Sequence, residues 1–226
     1  MIVYILSGSN QTGKDTFVEV FDKIWTAVFN NMGMVDKNGD CINSETFLVQ
    51  HISTIDPIRE LFELGGIDNP IKPYLMDDIN KKTEVYRSLL ADIKVAVDNA
   101  YRCEHRICLT TKYVLDAIET FSKDTMNGVC FVDCREPEKI KELKENLCIT
   151  GYHTEVIKTV RSSVRAADNK SDAAAYENNE CDYIIDNDTH VMKNVIDFIQ
   201  MRTLPTFAKM NDINLEPEEL YTIAYR

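Results

Sequence analysis

The stretch Ile2-Val3-Tyr4-Ile5-Leu6-Ser7-Gly8-Ser9-Asn10-Gln11-Thr12-Gly13-Lys14-Asp15-Thr16 decides how this chain folds. A short apolar run enters Gly8, four residues separate Gly8 from Gly13, and a helical apolar pattern follows Lys14 at once. A buried strand that turns on glycines into a helix presents the backbone N–H groups of Ser9, Asn10, Gln11 and Thr12 to one point. The positive end of the helix dipole faces the same point. An anion fits there, and Lys14 can reach its outer oxygens. A plain strand-to-helix turn is the bland alternative. The strand before and the helix after favour the phosphate cradle.

One position departs from the usual cradle. Ser or Thr commonly follows the lysine and ligates Mg²⁺, whereas here Asp15 stands there and Thr16 comes one later. Asp15 can simply complement the helix dipole. A bare carboxylate beside a polyphosphate is repelled, however, which favours Asp15 facing Mg²⁺ directly or through a water. Asp15 and Thr16 thus both stand as candidate metal ligands.

The chain has 226 residues, enough for one good core, or for one domain with an insertion. Its 25 basic and 37 acidic residues give a net charge of −12, which repels nucleic-acid polymers and anionic membrane surfaces at long range. A small anionic substrate must then be held by local arginines. Seven cysteines without a paired metal spacing read as reduced thiols, and no apolar run reaches the length of a membrane span, so a cytoplasmic protein is expected.

Phe17, Phe21, Ile24, Val28 and Met32 follow helical spacing, with Gly33 as a stop. Asp36-Lys37-Asn38-Gly39-Asp40 has the look of a calcium loop, but Cys41 and Phe47 occupy the places that need glycine and glutamate, which leaves a polar turn. Further strands are expected at Phe47 to Ile52, Val129 to Cys134, Thr154 to Val160 and Tyr183 to Asp186. Asp56, as cap, and Pro57 open a helix that Gly65-Gly66 closes. Residues 66 to 80 read as loop. Helices are expected over Lys82 to Tyr101, Leu109 to Ser122, Pro137 to Asn146 and Asp188 to Met201. Strands alternating with helices imply an α/β fold, a five-stranded parallel sheet with helices on both faces, whose ligands bind at the carboxyl ends of the strands.

Chemistry-bearing residues fall at those ends. Asp133 and Arg135 follow the third strand: the acid can hold Mg²⁺ or a metal-bound water, and the guanidinium can grip a phosphate, unless the two only form a strand-end ion pair. Arg161 and Arg165 leave the fourth strand four residues apart, a spacing that puts both on one face of a short helix. They suit a lid that closes cations over transferring phosphates, or equally a solvated turn. Arg59 and Arg87 can clamp a second anion, although each alone is more often a surface residue.

LSGSNQTGKDT, STIDPIREL, VYRSLL, FVDCREPE, VRSSVRAADNKSD and CDYIIDND together resemble, in order, the phage-type deoxynucleoside monophosphate kinases. That branch of the P-loop kinases is similar in layout to dephospho-CoA kinase and phosphomevalonate kinase. The resemblance implies a P-loop NTPase fold over residues 1–203, a helical acceptor-binding insertion at 54–127, a lid at 161–180 and a C-terminal extension at 204–226. It implies that Gly8, Gly13, Lys14 and Thr16 bind the triphosphate of ATP, that Asp133 serves Mg²⁺, and that Arg87 and Arg135 hold the acceptor phosphate. Arg161 and Arg165 would act as lid arginines, and Asn187 would approach the adenine. The chain departs from the pattern at Ala91-Asp92-Ile93-Lys94, where a glycine-bearing stretch is expected, and in its extension after Thr203.

The expected activity is phosphoryl transfer from ATP·Mg²⁺ to a nucleoside or deoxynucleoside monophosphate by a monomer or homodimer. An alcohol kinase such as dephospho-CoA kinase is the second enzyme reading, with Asp56 accepting the hydroxyl proton. A non-catalytic nucleotide-binding switch is the third, disfavoured by the arginines at 87, 135, 161 and 165.

Overall fold

The computed structural model describes residues 1–9, 11–32, 48–64, 76–78, 81–82, 84–125, 128–164, 170–177, 180–188 and 190–213. The polar turn at 36–40, the stops at Gly33 and Gly65-Gly66, Asn10, Arg165 and residues 214–226 lie outside them, as does the side chain of Arg87.

The chain divides into two compact units, residues 1–51 with 118–226, and residues 52–117. The first is an α/β unit around a five-stranded parallel sheet. Its strands are β1 (Ile2–Ser7), β2 (Val49–Ser53, which runs into the second unit), β5 (Val129–Asp133), β6 (His153–Val160) and β7 (Tyr183–Asp186). Their order in the sheet is β2-β5-β1-β6-β7. β1 is the centre: Ile2 to Leu6 run in register beside Val129 to Asp133, and Ile2 to Ser7 beside His153 to Lys158. All six of its residues are buried, so both faces of the central strand are covered, as parallel sheets require.

Helix α1 (Lys14–Met32) leaves the end of β1. Phe17, Phe21 and Val28 are buried as their spacing predicts; Trp25 is fully enclosed, while its neighbour Ile24 is only partly so. Phe21 stacks on Trp25 with ring centroids 5.5 Å apart, and it forms a T-shaped pair with Phe131 of β5, centroids 4.8 Å apart. Each such side chain contributes about 1.5–3 kcal/mol by leaving water, so this aromatic layer anchors the helix that follows the loop.

Helix α5 (Pro137–Ile149) follows β5, and α6 (Lys170–Glu177) follows β6. The C-terminal helix breaks into α7 (Val191–Phe198), one π-helical turn (Ile199–Thr203) and α8 (Leu204–Met210). Tyr4, fully buried in β1, donates its hydroxyl to Thr203 Oγ1 at 3.1 Å, which satisfies a phenol that burial pushes to a raised pKa. Leu204, Phe207 and Ala208 are buried in the same core, so residues 204–210 belong to the α/β unit.

The second unit holds α2 (Asp56–Leu64), an antiparallel pair β3 (Met76–Asp78) and β4 (Lys81–Lys82), α3 (Glu84–His105) and most of α4 (Leu109–Asp124). β3 falls where loop is expected from the sequence and β4 takes Lys82, the expected first residue of the helix that follows, because three and two residues are too short to show a period. Buried Asp98 accepts the N–H and hydroxyl of Thr110 at 2.9 Å, tying α3 to the start of α4. Buried Lys94 donates to Thr54 Oγ1 at 2.9 Å. Among the described residues no helix is long and apolar enough to cross a membrane.

Candidate phosphate-binding and metal site

The loop from Gly8 to Gly13 closes at the carboxyl end of β1 with three left-handed residues: Gly8 at φ 145°, Gln11 at 63° and Gly13 at 85°. At Gly8 a side chain is excluded twice over, since a Cβ would lie 2.4 Å from Thr159 Oγ1 and 2.7 Å from the Thr159 carbonyl oxygen. Thr12 Oγ1 donates to the Ser9 carbonyl at 2.9 Å, and it shares a hydrogen bond of 2.8 Å with Thr159 Oγ1. Thr159 Oγ1 lies 3.3 Å from the Ser7 carbonyl, a second acceptor at the same junction. The loop is therefore pinned to β6 by the hydroxyls of Thr12 and of Thr159, the latter a residue that the sequence does not single out.

Lys14 is almost wholly buried, and its Nζ donates to the carbonyls of Gly8 at 2.8 Å and Ser9 at 3.0 Å. A buried ammonium needs such partners, and these bonds hold the cation over the loop. The Gly13 carbonyl accepts the Phe17 N–H at 2.9 Å, so α1 starts directly from the loop and its first N–H groups face the same space.

Asn187 stands in the loop after β7, buried, with Nδ2 donating to the Thr12 carbonyl at 2.8 Å. Its Nδ2 also lies 3.1 Å from where a Cβ on Gly13 would stand. Asn187, which the resemblance sends toward an adenine, braces the Gly8–Gly13 loop through this bond. Asp188 Oδ1 accepts the Ser162 N–H at 2.8 Å, which links the loops after β7 and β6. The hydrogen bonds from Ser162, with Arg161 as a nearby positive charge, hold the Asp188 carboxyl below its usual pKa.

Asp15 and Thr16 are both exposed on the first turn of α1. The structure brings Asp15 together with Asp133, at the end of β5, and with His51 of β2, a residue the sequence reading passes over. One ligand atom from each of the three lies within 4.8 Å of the others, and among the described residues this is the one such group of three or more His, Cys, Asp or Glu. His51 Nε2 is 3.3 Å from Asp133 Oδ1. That oxygen is fully enclosed and makes no hydrogen bond, so the approach lacks hydrogen-bond geometry despite its short distance. Parallel pairing explains the meeting, because it sets the carboxyl ends of β2 and β5 side by side.

Arg135 follows Asp133 half-buried, after Cys134 has bonded its N–H to the Leu6 carbonyl at 3.0 Å. Arg161 is exposed, and its carbonyl accepts the Val164 N–H at 3.0 Å to close one turn.

In the second unit, Asp56 is the first helical residue and does not cap α2. Ile55 takes the cap position, its carbonyl accepting the N–H of both Ile58 and Arg59 at 3.1 Å. The Asp56 carboxylate turns back instead: Oδ2 accepts the Ser53 N–H at 2.7 Å, and Oδ1 meets Arg59 Nη1 at 2.9 Å. Asp56 and Arg59 are thus engaged with each other.

Protein-family models give no match to this chain, and no curated protein matches it in sequence.

Proposed function

We propose that this chain is a P-loop kinase that transfers the terminal phosphoryl group of ATP·Mg²⁺ to a nucleoside or deoxynucleoside monophosphate. The observation that carries this reading is the preformed cradle. Two glycines with left-handed backbone, a helix N-terminus and the buried Lys14 ammonium converge at the carboxyl end of the central strand of a parallel sheet. Asp15 and Asp133, held close together, would hold Mg²⁺, whose charge would offset that of the phosphates.

Catalysis needs little beyond position and charge. A monophosphate is already a nucleophile, so lining it up with the donor and neutralising the equatorial oxygens supplies most of the rate. Lys14 stabilises the transferring group, and Arg161 and Arg165 add positive charge as a lid over residues 161–180 closes. The sequence resemblance gives Arg87 and Arg135, with Arg59 and Asp56, the role of holding the acceptor phosphate. The alcohol-kinase alternative needs Asp56 as proton acceptor, yet both of its oxygens already accept hydrogen bonds.

ADP release measured across nucleoside and deoxynucleoside monophosphates, dephospho-CoA and phosphomevalonate tests the proposal. Turnover with one or more monophosphates is expected. Turnover confined to the alcohol, or to none, would overturn it.

A further inference from the structure

We infer that His51, Asp15 and Asp133 form a mixed imidazole–dicarboxylate site that binds a divalent first-row transition cation, Mn²⁺ being the probe, in preference to Mg²⁺ and without nucleotide. Only the link from this site to phosphate chemistry rests on the phosphoryl-transfer reading; the site itself rests on three side chains of one compact unit.

The first support is spacing. Two ligands at right angles on one cation, each about 2.1 Å from it, stand about 3.0 Å apart, and opposite ligands stand about 4.2 Å apart. His51 Nε2 and Asp133 Oδ1 are 3.3 Å apart, close to the first value, and Asp15 completes the group within 4.8 Å. Small rotations of the exposed Asp15 and His51 side chains cover the rest.

The second support is the state of Asp133 Oδ1. It is closed off from solvent and makes no hydrogen bond, while its side chain as a whole is only 15% exposed. An enclosed carboxylate oxygen without a donor is costly, and a cation in front of it removes that cost. A surface ion pair with His51 would not, because Nε2 comes near without aligning for a hydrogen bond.

The donor set then selects the metal. Mg²⁺ favours oxygen ligands and keeps its waters, whereas imidazole nitrogen raises affinity along the series from Mn²⁺ upward. The positive end of α1 opposes any cation, and two carboxylates outweigh it. The same helix end attracts an anion, so metal and phosphate can be held as neighbours.

Mn²⁺ titrated into the metal-stripped, full-length chain without nucleotide tests this, with free Mn²⁺ followed by electron paramagnetic resonance. One Mn²⁺ per chain is expected, displaced by Mg²⁺ only at an excess of about a hundredfold or more. Pulsed resonance should show a ¹⁴N coupling from a directly bound imidazole. His51→Gln should abolish that coupling and weaken Mn²⁺ at least about tenfold, with Mg²⁺ affinity little changed. No stoichiometric binding, no nitrogen coupling in the parent chain, or a His51→Gln variant that binds Mn²⁺ like the parent would each overturn the site. The nitrogen coupling is read on the unaltered protein, so a variant that fails to fold does not rescue or sink the inference. Mn²⁺ binding with this signature but no turnover in the acceptor screen would retire the kinase reading and leave the site standing; Mg²⁺-dependent turnover without it would do the reverse.

Discussion

Asn187 Nδ2 donates to the carbonyl oxygen of Thr12 at 2.8 Å, joining the loop after the last strand to the loop after the first. The amide is buried, and Gly13 beside it has no side chain to keep it away. Removing the donor leaves a loop carbonyl without a partner, a cost of about 1–3 kcal/mol for a buried group. Asn187→Ala should therefore lower the unfolding free energy by about that amount and weaken nucleotide binding. Asn187→Asp, which sets a carboxylate against the same carbonyl, should cost more. Urea unfolding of the two variants checks this. An unchanged stability with only a raised KM for ATP would favour the adenine-facing role that the sequence resemblance implies for Asn187.

Lys14 offers a cleaner separation of fold from chemistry. Its ammonium donates to the Gly8 and Ser9 carbonyls of the loop, and the residue stands outside the aromatic layer. Lys14→Ala should keep a cooperative unfolding transition while turnover falls by on the order of 10²–10³, the usual cost of losing one preorganised charge at a transition state. The decisive comparison is turnover with whichever acceptor the screen returns, alongside circular dichroism. A rate equal to that of the parent would remove the phosphate-loop assignment.

Much of this architecture is legible in the sequence because its signals are local. β1 and β5 are apolar runs closed by Gly8 and by Asp133-Cys134-Arg135, and Pro137 marks the start of α5 one residue after Glu136. The parts that escape are those made by pairing distant segments. His51 reads as an ordinary polar residue in a strand until the sheet sets β2 against β5 and brings it to Asp133. Thr159 gains its role only because β6 lies beside β1 and delivers its hydroxyl to Thr12. The π-helical turn at Ile199–Thr203 is equally invisible to periodicity, since its apolar residues fit an uninterrupted helix.

Arg161 sits exposed on the turn that leaves β6, next to the Ser162–Asp188 link. Among the described residues no hydrogen bond or ion pair of its side chain ties it to the core, so its substitution should spare the fold. If it closes over the phosphates only as the reaction proceeds, Arg161→Ala should lower kcat more than it raises the dissociation constant of ATP, because interactions realised in the transition state appear in the rate. Single-turnover kinetics and equilibrium nucleotide binding on one preparation separate the two. Equal losses would make Arg161 an ordinary binding residue.

Asp56 distinguishes the two acceptor classes, and its geometry sharpens the test. The carboxylate is held by the Ser53 N–H through Oδ2 and by Arg59 through Oδ1. Asparagine keeps an oxygen for the Ser53 N–H and gives up the charge opposite Arg59, a pair whose side chains are 31% and 38% exposed. Partly solvated pairs of this kind contribute about 0–1 kcal/mol, so Asp56→Asn should be mild in stability. With a monophosphate acceptor it should also be mild in turnover, since the attacking phosphate oxygen carries no proton that must leave. With an alcohol acceptor the same change removes a general base, at a typical cost of about 10²–10⁴-fold. The expected outcome is a few-fold change in kcat/KM at nearly unchanged thermal stability. A loss beyond about a hundredfold with the fold intact would move the assignment to an alcohol kinase, with the Ser53 N–H and Arg59 then orienting its base.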